Sequence, residues 1–358
     1  MKVGGVAYRS IWREENRVIV IDQTRLPFEF KTLALTDCDA AAQAIRSMQI
    51  RGAPLIGATA AFGLALAMNE DASEAGIARA SDLLRATRPT AVNLGWAIER
   101  MASRLRAVPA PQRAASAWQE AQAIADEDVA LNEAIGRHGL ELLRDVASRK
   151  GRVNVLTHCN AGWLATVDVG TALAPIYLAH DAGIDVHVWV DETRPRNQGL
   201  LTAWELKQHG VPCTLIVDNA GGHLMQHGEV DLVIVGADRV TAQGDVCNKI
   251  GTYLKALAAK DCKVPFYAAV PTPTIDWDIG DALKEIPIEE RGAAEVLSVR
   301  GIADGRVGVV DVVPAGTQAA NPAFDVTPAR LVDALITNRG IVPATRSGLQ
   351  DLLRRKVA

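Results

Sequence analysis

At 358 residues the chain has room for about two domains at ~150 residues each. Its 38 lysines and arginines against 42 acidic residues leave a formal charge of −4, which argues against a nucleic-acid surface as the main function. Apolar residues make up 49% and charged residues 22%, the mix of an ordinary folded protein with a sizeable core. Five cysteines without a C-x-x-C argue against zinc knuckles and a disulfide scaffold, and fit a reducing, cytoplasmic compartment.

The first residues, from Met1 to Arg9, carry no apolar signal-peptide core. Residues 1–35 hold short β-branched runs, Val18–Ile21 and Phe28–Phe30, split by polar turns, and predict a small antiparallel sheet. Residues 36–148 read as helices. Ala41–Gln49 has a period near 3.6, and Ala114–Ala147 is a long Ala/Leu/Glu/Arg pattern. Pro109 and Pro111 divide this region, so several helices are expected and not one. The uncharged stretch Gly52–Asn69 is near the ~18 residues of a membrane span. Its high alanine content, with Pro54, Gly57, Thr59 and Gly63, reads instead as a buried core helix. No membrane association is expected.

From about residue 151 apolar runs of strand length recur: Val153–Leu156, Val186–Val190, Thr214–Val217, Leu232–Val235, Phe266–Val270 and Val307–Val310. Helix-length segments follow the first four, at Ala161–Ala182, Leu200–His209, Ala220–His227 and Ile250–Lys260. Such alternation predicts an α/β fold, with a mostly parallel, Rossmann-like sheet covered by helices on both faces. The basic segment Arg144–Arg152 reads as the linker. The expected division is 1–148, a small sheet with a helical bundle, and 149–358, the sheet domain.

Ligands in open parallel sheets bind beyond the carboxyl ends of the strands. Four consecutive runs here end in polar clusters: Thr157-His-Cys-Asn-Ala-Gly162, Asp191-Glu-Thr-Arg-Pro-Arg-Asn-Gln-Gly199, Asp218-Asn219 and Gly236-Ala-Asp-Arg239. Together they point to one cleft. Cys159 is either a small buried hydrophobe or a thiol facing a ligand at a strand-to-helix turn, where a helix N-terminus would favour the thiolate. Asp238 directly follows an apolar strand, where partial desolvation would raise its pKa and suit acid–base work. A helix cap or a pair with Arg239 is the plainer reading of the residues alone.

Asn248 and Lys249 precede a helical pattern and suggest an anion site. Arg51 heads the buried helix with Pro54 in its first turn, and Arg88 precedes a second proline-marked turn. Guanidinium groups suit bidentate phosphate contacts, so a phosphate held between the two portions is the reading, against scattered surface cations. His223 and His227 have i, i+4 spacing but no H-E-x-x-H, and a metal site is not expected. Neither a G-x-G-x-x-G after a strand, nor a P-loop, nor a G-x-S-x-G elbow occurs.

Arg51-Gly-Ala-Pro54, Arg88-Pro-Thr-Ala-Val-Asn-Leu94, the clusters at 157–162, 191–199 and 236–239, and Gly244-Asp-Val-Cys-Asn-Lys-Ile-Gly-Thr-Tyr253 occur in this order. As an ordered set they closely resemble the methylthioribose-1-phosphate isomerases of methionine salvage, from about residue 20 to 345. Ile286–Arg291 and Asn321–Pro328 fit the same family; Gly292-Ala-Ala-Glu295 departs from its usual acidic continuation. The wider superfamily includes ribose-1,5-bisphosphate isomerase and regulatory subunits of the translation-initiation exchange factor, which are not isomerases.

The resemblance implies an aldose-to-ketose isomerisation of 5-methylthioribose 1-phosphate, with no cofactor and with a homodimeric assembly. It implies that Asp238 is the proton donor and that Cys159 assists the transition state. It further implies that Arg51, the Gly52 and Ala53 backbone, Arg88, Gln198, Asn248 and Lys249 hold the substrate. A related sugar 1-phosphate, 5-deoxyribose 1-phosphate or ribose 1,5-bisphosphate, is the nearest alternative, and a non-catalytic subunit the next.

Overall fold

The computed structural model describes residues 1–89 and 91–354. Thr90 of the Arg88 motif and the last four residues lie outside the described residues. Near the N-terminus the strands Ile11–Glu14, Arg17–Ile21 and Thr32–Leu35 form an antiparallel sheet. The second expected strand, Phe28–Phe30, does not form: Phe28 ends a turn, Glu29 and Phe30 are irregular, and the pairing strand lies just after them.

Five helices follow: α1 (Cys38–Arg46), α2 (Ala53–Glu70), α3 (Glu74–Arg85), α4 (Val92–Arg106) and α5 (Ala110–Lys150). Asp37 and Ser73 cap α1 and α3 by accepting from the Ala40 and Gly76 N–H groups. Pro54 sits in the first turn of α2, and Pro109 and Pro111 mark the start of α5. The stretch expected to be a core helix is α2. It is apolar on every side because α1, α3, α4 and α5 surround it. No helix among the described residues is long and apolar enough to cross a membrane.

Arg144–Arg152 is not a linker: through Lys150 it forms the last turns of α5. Its charge belongs to the solvent side of a long helix, and the chain turns only at Gly151, where φ is +81°.

The main sheet has seven strands, in the order Gly340–Val342, Ala334–Thr337, Phe266–Ala269, Leu232–Val235, Val153–Thr157, Val186–Asp191, Cys213–Ile216. All pairs are parallel except the first. Alternate side chains feed two cores: Leu232 and Ile234 pack on one face, Val233 and Val235 on the other. The covering helices include α6 (Ala174–Asp181), α7 (Gln198–His209), α8 (Ala220–Gln226) and α9 (Thr252–Cys262).

Three expectations change here. Val307–Val310 belongs to a separate ribbon, Ser298–Ala303 with Arg306–Asp311, whose second strand is exposed throughout. The sheet is completed instead by Ala334–Thr337, with Gly340–Val342 at its edge. Helix occupies only the end of Ala161–Ala182; the preceding segment is irregular, with a 3₁₀ turn at Trp163–Ala165 and a left-handed Gly170. Finally, α9 does not follow Leu232–Val235 directly. A hairpin, Arg239–Thr241 with Val246–Lys249, intervenes and pairs with Ile275–Asp276 and Phe324–Thr327 in a four-stranded sheet.

The order of the strands places the site. From Val153–Thr157 the chain builds outward through Val186–Asp191 to Cys213–Ile216. It then returns to lay Leu232–Val235 on the other side of the first strand. The crevice between Val153–Thr157 and Leu232–Val235 is therefore the topological switch point, where open α/β sheets bind ligands.

Candidate active site

Cys159 leaves one strand of the switch point and Asp238 leaves the other. A cavity of about 70 Å³ opens over both, lined by Arg51, Gly52, Ala53, Arg88, Cys159, Gln198, Asp238, Asn248 and Lys249. The structure thus brings all nine sequence-expected residues to one place.

Cys159 is held in the left-handed region, with φ at +68°. That conformation is uncommon for a residue with a side chain and needs support. Two hydroxyls supply it: Thr193 Oγ1 accepts from the Cys159 N–H at 2.8 Å, and Thr202 Oγ1 donates to the Cys159 carbonyl at 2.8 Å. Burial pushes the thiol pKa up, against the pull of Arg51 and Lys249. Cys159 heads no α-helix, so no helix dipole offsets that burial; the segment after it is the irregular one.

Asp238 makes no hydrogen bond or ion pair through its carboxylate among the described residues. Arg239 lies 3.3 Å from Asp276 instead, and a strand, not a helix, follows Asp238. The cap and Arg239-pair readings therefore do not describe it. Burial raises its pKa, opposed by Lys249, Arg88 and Arg51. Lys249 ends the strand Val246–Lys249, 8% exposed, with its ammonium 4.4 Å from the Phe324 ring centroid. Burial lowers its pKa, while Cys159 and Asp238 oppose that. Beside it, Asn248 Nδ2 donates to Thr252 Oγ1 at 3.0 Å.

The two arginines arrive differently. Arg51 is 8% exposed; Nη1 donates to Asn160 Oδ1, and Nη2 donates to the Asn160 carbonyl at 2.8 Å. Arg88 is paired with Glu289 at 2.8 Å, and Glu289 also binds Arg291 at 2.7 Å. Gly52 has φ at +89°, and a Cβ there would lie 2.3 Å from the Ala165 carbonyl oxygen. Only glycine lets the α2 N-terminus approach the segment behind Cys159 so closely. Gln198 opens α7, buried, with Oε1 lacking a partner.

The polar clusters after the second and third strands do not all face the cavity. Asp218 accepts from the Thr193 and Arg194 N–H groups and braces their loop. Among the described residues, His158, Asp191 and Asp218 form the one cluster with metal-ligand spacing. Both His158 ring nitrogens are engaged, Nδ1 with Asp191 at 2.9 Å and Nε2 with the Ile250 carbonyl at 2.8 Å. The Lys255 ammonium lies 3.3 Å from the same Asp191 oxygen, so a cation would have to displace one already there. The cluster acts as a brace behind Cys159. The His223 and His227 rings lie 4.1 Å apart, tilted by 44°, and Nδ1 of His227 bonds the His223 carbonyl.

Sequence reasoning overlooked Glu289 and Glu205. Glu289 lies in the Ile286–Arg291 motif but outside the set expected at the substrate. Glu205 is buried on α7 and accepts from Asn160 Nδ2 at 2.6 Å. Its only signal is spacing: Gln198, Thr202 and Glu205 share one helix face.

A second cavity of about 310 Å³ shares Met48, Arg51 and Gln198 with the first. Its apolar lining includes Leu26, Pro27, Phe28, Leu200 and Leu201. Arg196 and Arg300 also reach it, but Arg196 is paired with Glu295 at 2.6 Å and Arg300 donates to the Thr24 carbonyl.

Residues 49–344 match the Initiation factor 2 subunit family model. A methylthioribose-1-phosphate isomerase of Rhodospirillum rubrum is 64% identical, covering 98% of this chain and 93% of that protein. The crystal structure of 5-methylthioribose 1-phosphate isomerase from Pyrococcus horikoshii superimposes with a TM-score of 0.85 at 40% identity, covering 97% and 96%. That of translation initiation factor eIF-2B, subunit delta, from A. fulgidus gives 0.80 at 39%, covering 97% and 100%. On these matches the chain belongs to the Initiation factor 2 subunit family and, within it, to the methylthioribose-1-phosphate isomerases.

Proposed function

We propose that the protein isomerises 5-methylthioribose 1-phosphate to 5-methylthioribulose 1-phosphate, an aldose-to-ketose conversion. The observation that carries this reading is the pairing of an unpartnered, burial-raised carboxyl with a thiol in one cation-lined cavity. A non-catalytic subunit has no need to keep Asp238 unpaired and Cys159 at the cavity wall.

The anomeric carbon bears the phosphate, so the ring cannot open by hemiacetal exchange. Asp238, held toward its neutral form, gives its proton to the ring oxygen as the C1–O bond breaks. The C2 hydrogen then moves to C1, and the C2 hydroxyl loses its proton to the aspartate, which restores the acid. Two routes satisfy this balance: hydride transfer from C2 to C1, or removal of the C2 proton and reprotonation at C1. Cys159 assists at the same centre. Arg51, Arg88 and Lys249 hold the phosphate with the Gly52 and Ala53 backbone, while Gln198 and Asn248 bind sugar hydroxyls.

The C1 end must sit beside Cys159 and Asp238, in a space of about 70 Å³ with room for only a few waters. The C5 end then extends into the larger cavity, toward its apolar stretch of Leu26, Pro27, Phe28, Leu200 and Leu201. An apolar 5-substituent suits that lining. The proposal includes a homodimeric enzyme of cytoplasmic methionine salvage, with the chain dividing at the turn that ends α5, at Gly151 and not at the expected 148.

The test is NMR of purified protein with 5-methylthioribose 1-phosphate in D₂O. Ketose formation establishes the isomerase, and deuterium at C1 assigns the proton route. A folded protein that leaves the sugar unchanged overturns the reading.

A further inference from the structure

We propose that one face of α7 sets the active-site geometry, with Glu205 a positioning residue for Arg51 and Thr202 one for Cys159. The proposal rests on the isomerase reading.

Asn160 is the hub. Its side-chain oxygen accepts from Arg51 Nη1, and its carbonyl accepts from Nη2. Its Nδ2 donates to Glu205 Oε1 at 2.6 Å and to Thr202 Oγ1 at 3.1 Å. Both amide ends are thereby assigned, and the plane of the amide fixes where the guanidinium points. Glu205 is in turn fixed by donors from two other elements. Leu164 N–H reaches Oε1 at 3.3 Å and Tyr177 Oη reaches Oε2 at 3.0 Å. A Cβ at Gly162 would lie 1.9 Å from that second oxygen, so the backbone closes over the carboxylate as well.

Thr202, one turn earlier, spends its hydroxyl proton on the Cys159 carbonyl and accepts from Asn160. The same network thus reaches both the left-handed cysteine and the phosphate-facing arginine. Residues 198, 202 and 205 lie on one stripe of the helix, and all three are buried. Neither Glu205 nor Thr202 lines the cavity, so each acts through another residue.

The test compares Glu205→Leu with Glu205→Gln. Glutamine keeps an oxygen for Asn160 and Leu164; leucine fills the space and accepts nothing. Leucine is expected to raise KM about 10- to 100-fold, the scale of a lost hydrogen bond to a charged group, while glutamine stays within about threefold of the parent. Equal KM for the two variants overturns the role, because a packing position would not distinguish them. Should the leucine variant not fold, Thr202→Val and Thr202→Ser decide. Valine is expected to lower kcat about tenfold at little cost in KM, and serine to restore it. An unchanged kcat in the valine variant overturns the proposal.

Binding of inorganic phosphate to the same proteins, read by calorimetry, separates this proposal from the reading beneath it. A parent that turns over no sugar but binds phosphate, with binding weakened by Glu205→Leu alone, overturns the isomerase and upholds the positioning role. Phosphate binding that is the same in parent, Leu and Gln variants overturns the positioning role whatever the reaction.

Discussion

The two walls of the cavity are built on opposite principles. On the reacting wall, Asp238 has no partner among the described residues, and burial pushes both it and Cys159 toward their neutral forms. On the binding wall, Arg51, Asn160, Thr202 and Glu205 are joined by hydrogen bonds. A buried polar group without a partner destabilises the fold, whereas a bonded one fixes geometry. The difference teaches where this protein tolerates instability: at the groups whose partner is the substrate.

The largest expected effect breaks the reacting wall. Asp238→Asn removes the transferable proton and leaves the shape, so kcat should fall by about 10²–10⁴ while KM moves within a few-fold. Thermal unfolding supplies the second half of the comparison. The parent buries a carboxyl that no hydrogen bond or contact ion pair among the described residues satisfies, so the variant should melt near or above the parent's temperature. A near-normal kcat, or a marked loss of stability, would place Asp238 on the wrong wall.

Next in size is the binding wall. Arg51→Ala should raise KM about 100-fold, because it deletes a charge-assisted phosphate contact, with a smaller change in kcat. It should also lower stability, since Asn160 loses the donor to its side-chain oxygen. An unchanged KM would count against a phosphate at this cation.

The reacting wall was the more legible of the two in the sequence. Cys159 and Asp238 each follow a continuous apolar run, and a strand end is visible in hydropathy alone. Arg51 was legible because nothing in a buried alanine-rich helix calls for a guanidinium. Glu205 was not. Within Trp204-Glu-Leu-Lys-Gln208 it looks like an ordinary acidic residue on a helix, and its role depends on a segment some 45 positions earlier. The fold shows the same limit. Val307–Val310 has the hydropathy of a buried strand and lies on an exposed ribbon, while Ala334–Thr337 is short, follows Asp333, and is buried in the main sheet. Local pattern reports what a segment can bury; only topology decides what covers it. Arg144–Lys150 errs in the other direction, because the polar end of a long helix has the composition of a linker.

The smallest effect is on stability against pH, and it tests the binding wall from inside. Burial lifts Glu205 from 4.5 to about 7, against the pull of its bonds to Asn160, Tyr177 and Leu164. In the unfolded chain the same carboxyl ionises near its ordinary value. Between about pH 4.5 and 7 the folded state therefore holds more protons than the unfolded state, and stability falls as pH rises through that window. The stability of the neutral acid is complete below about 4.5 and is lost as pH rises through about 7, a change on the order of 3 kcal/mol. Asp128, lifted by burial from 3.8 to about 7, adds a slope of the same sign. Denaturant unfolding of Glu205→Gln from pH 5 to 8 should thus retain a slope, from Asp128, but a shallower one than the parent's. An identical slope would mean that Glu205 stays ionised throughout. The binding wall would then hold a fixed carboxylate opposite Arg51, and the phosphate would meet an arginine whose charge is already shared.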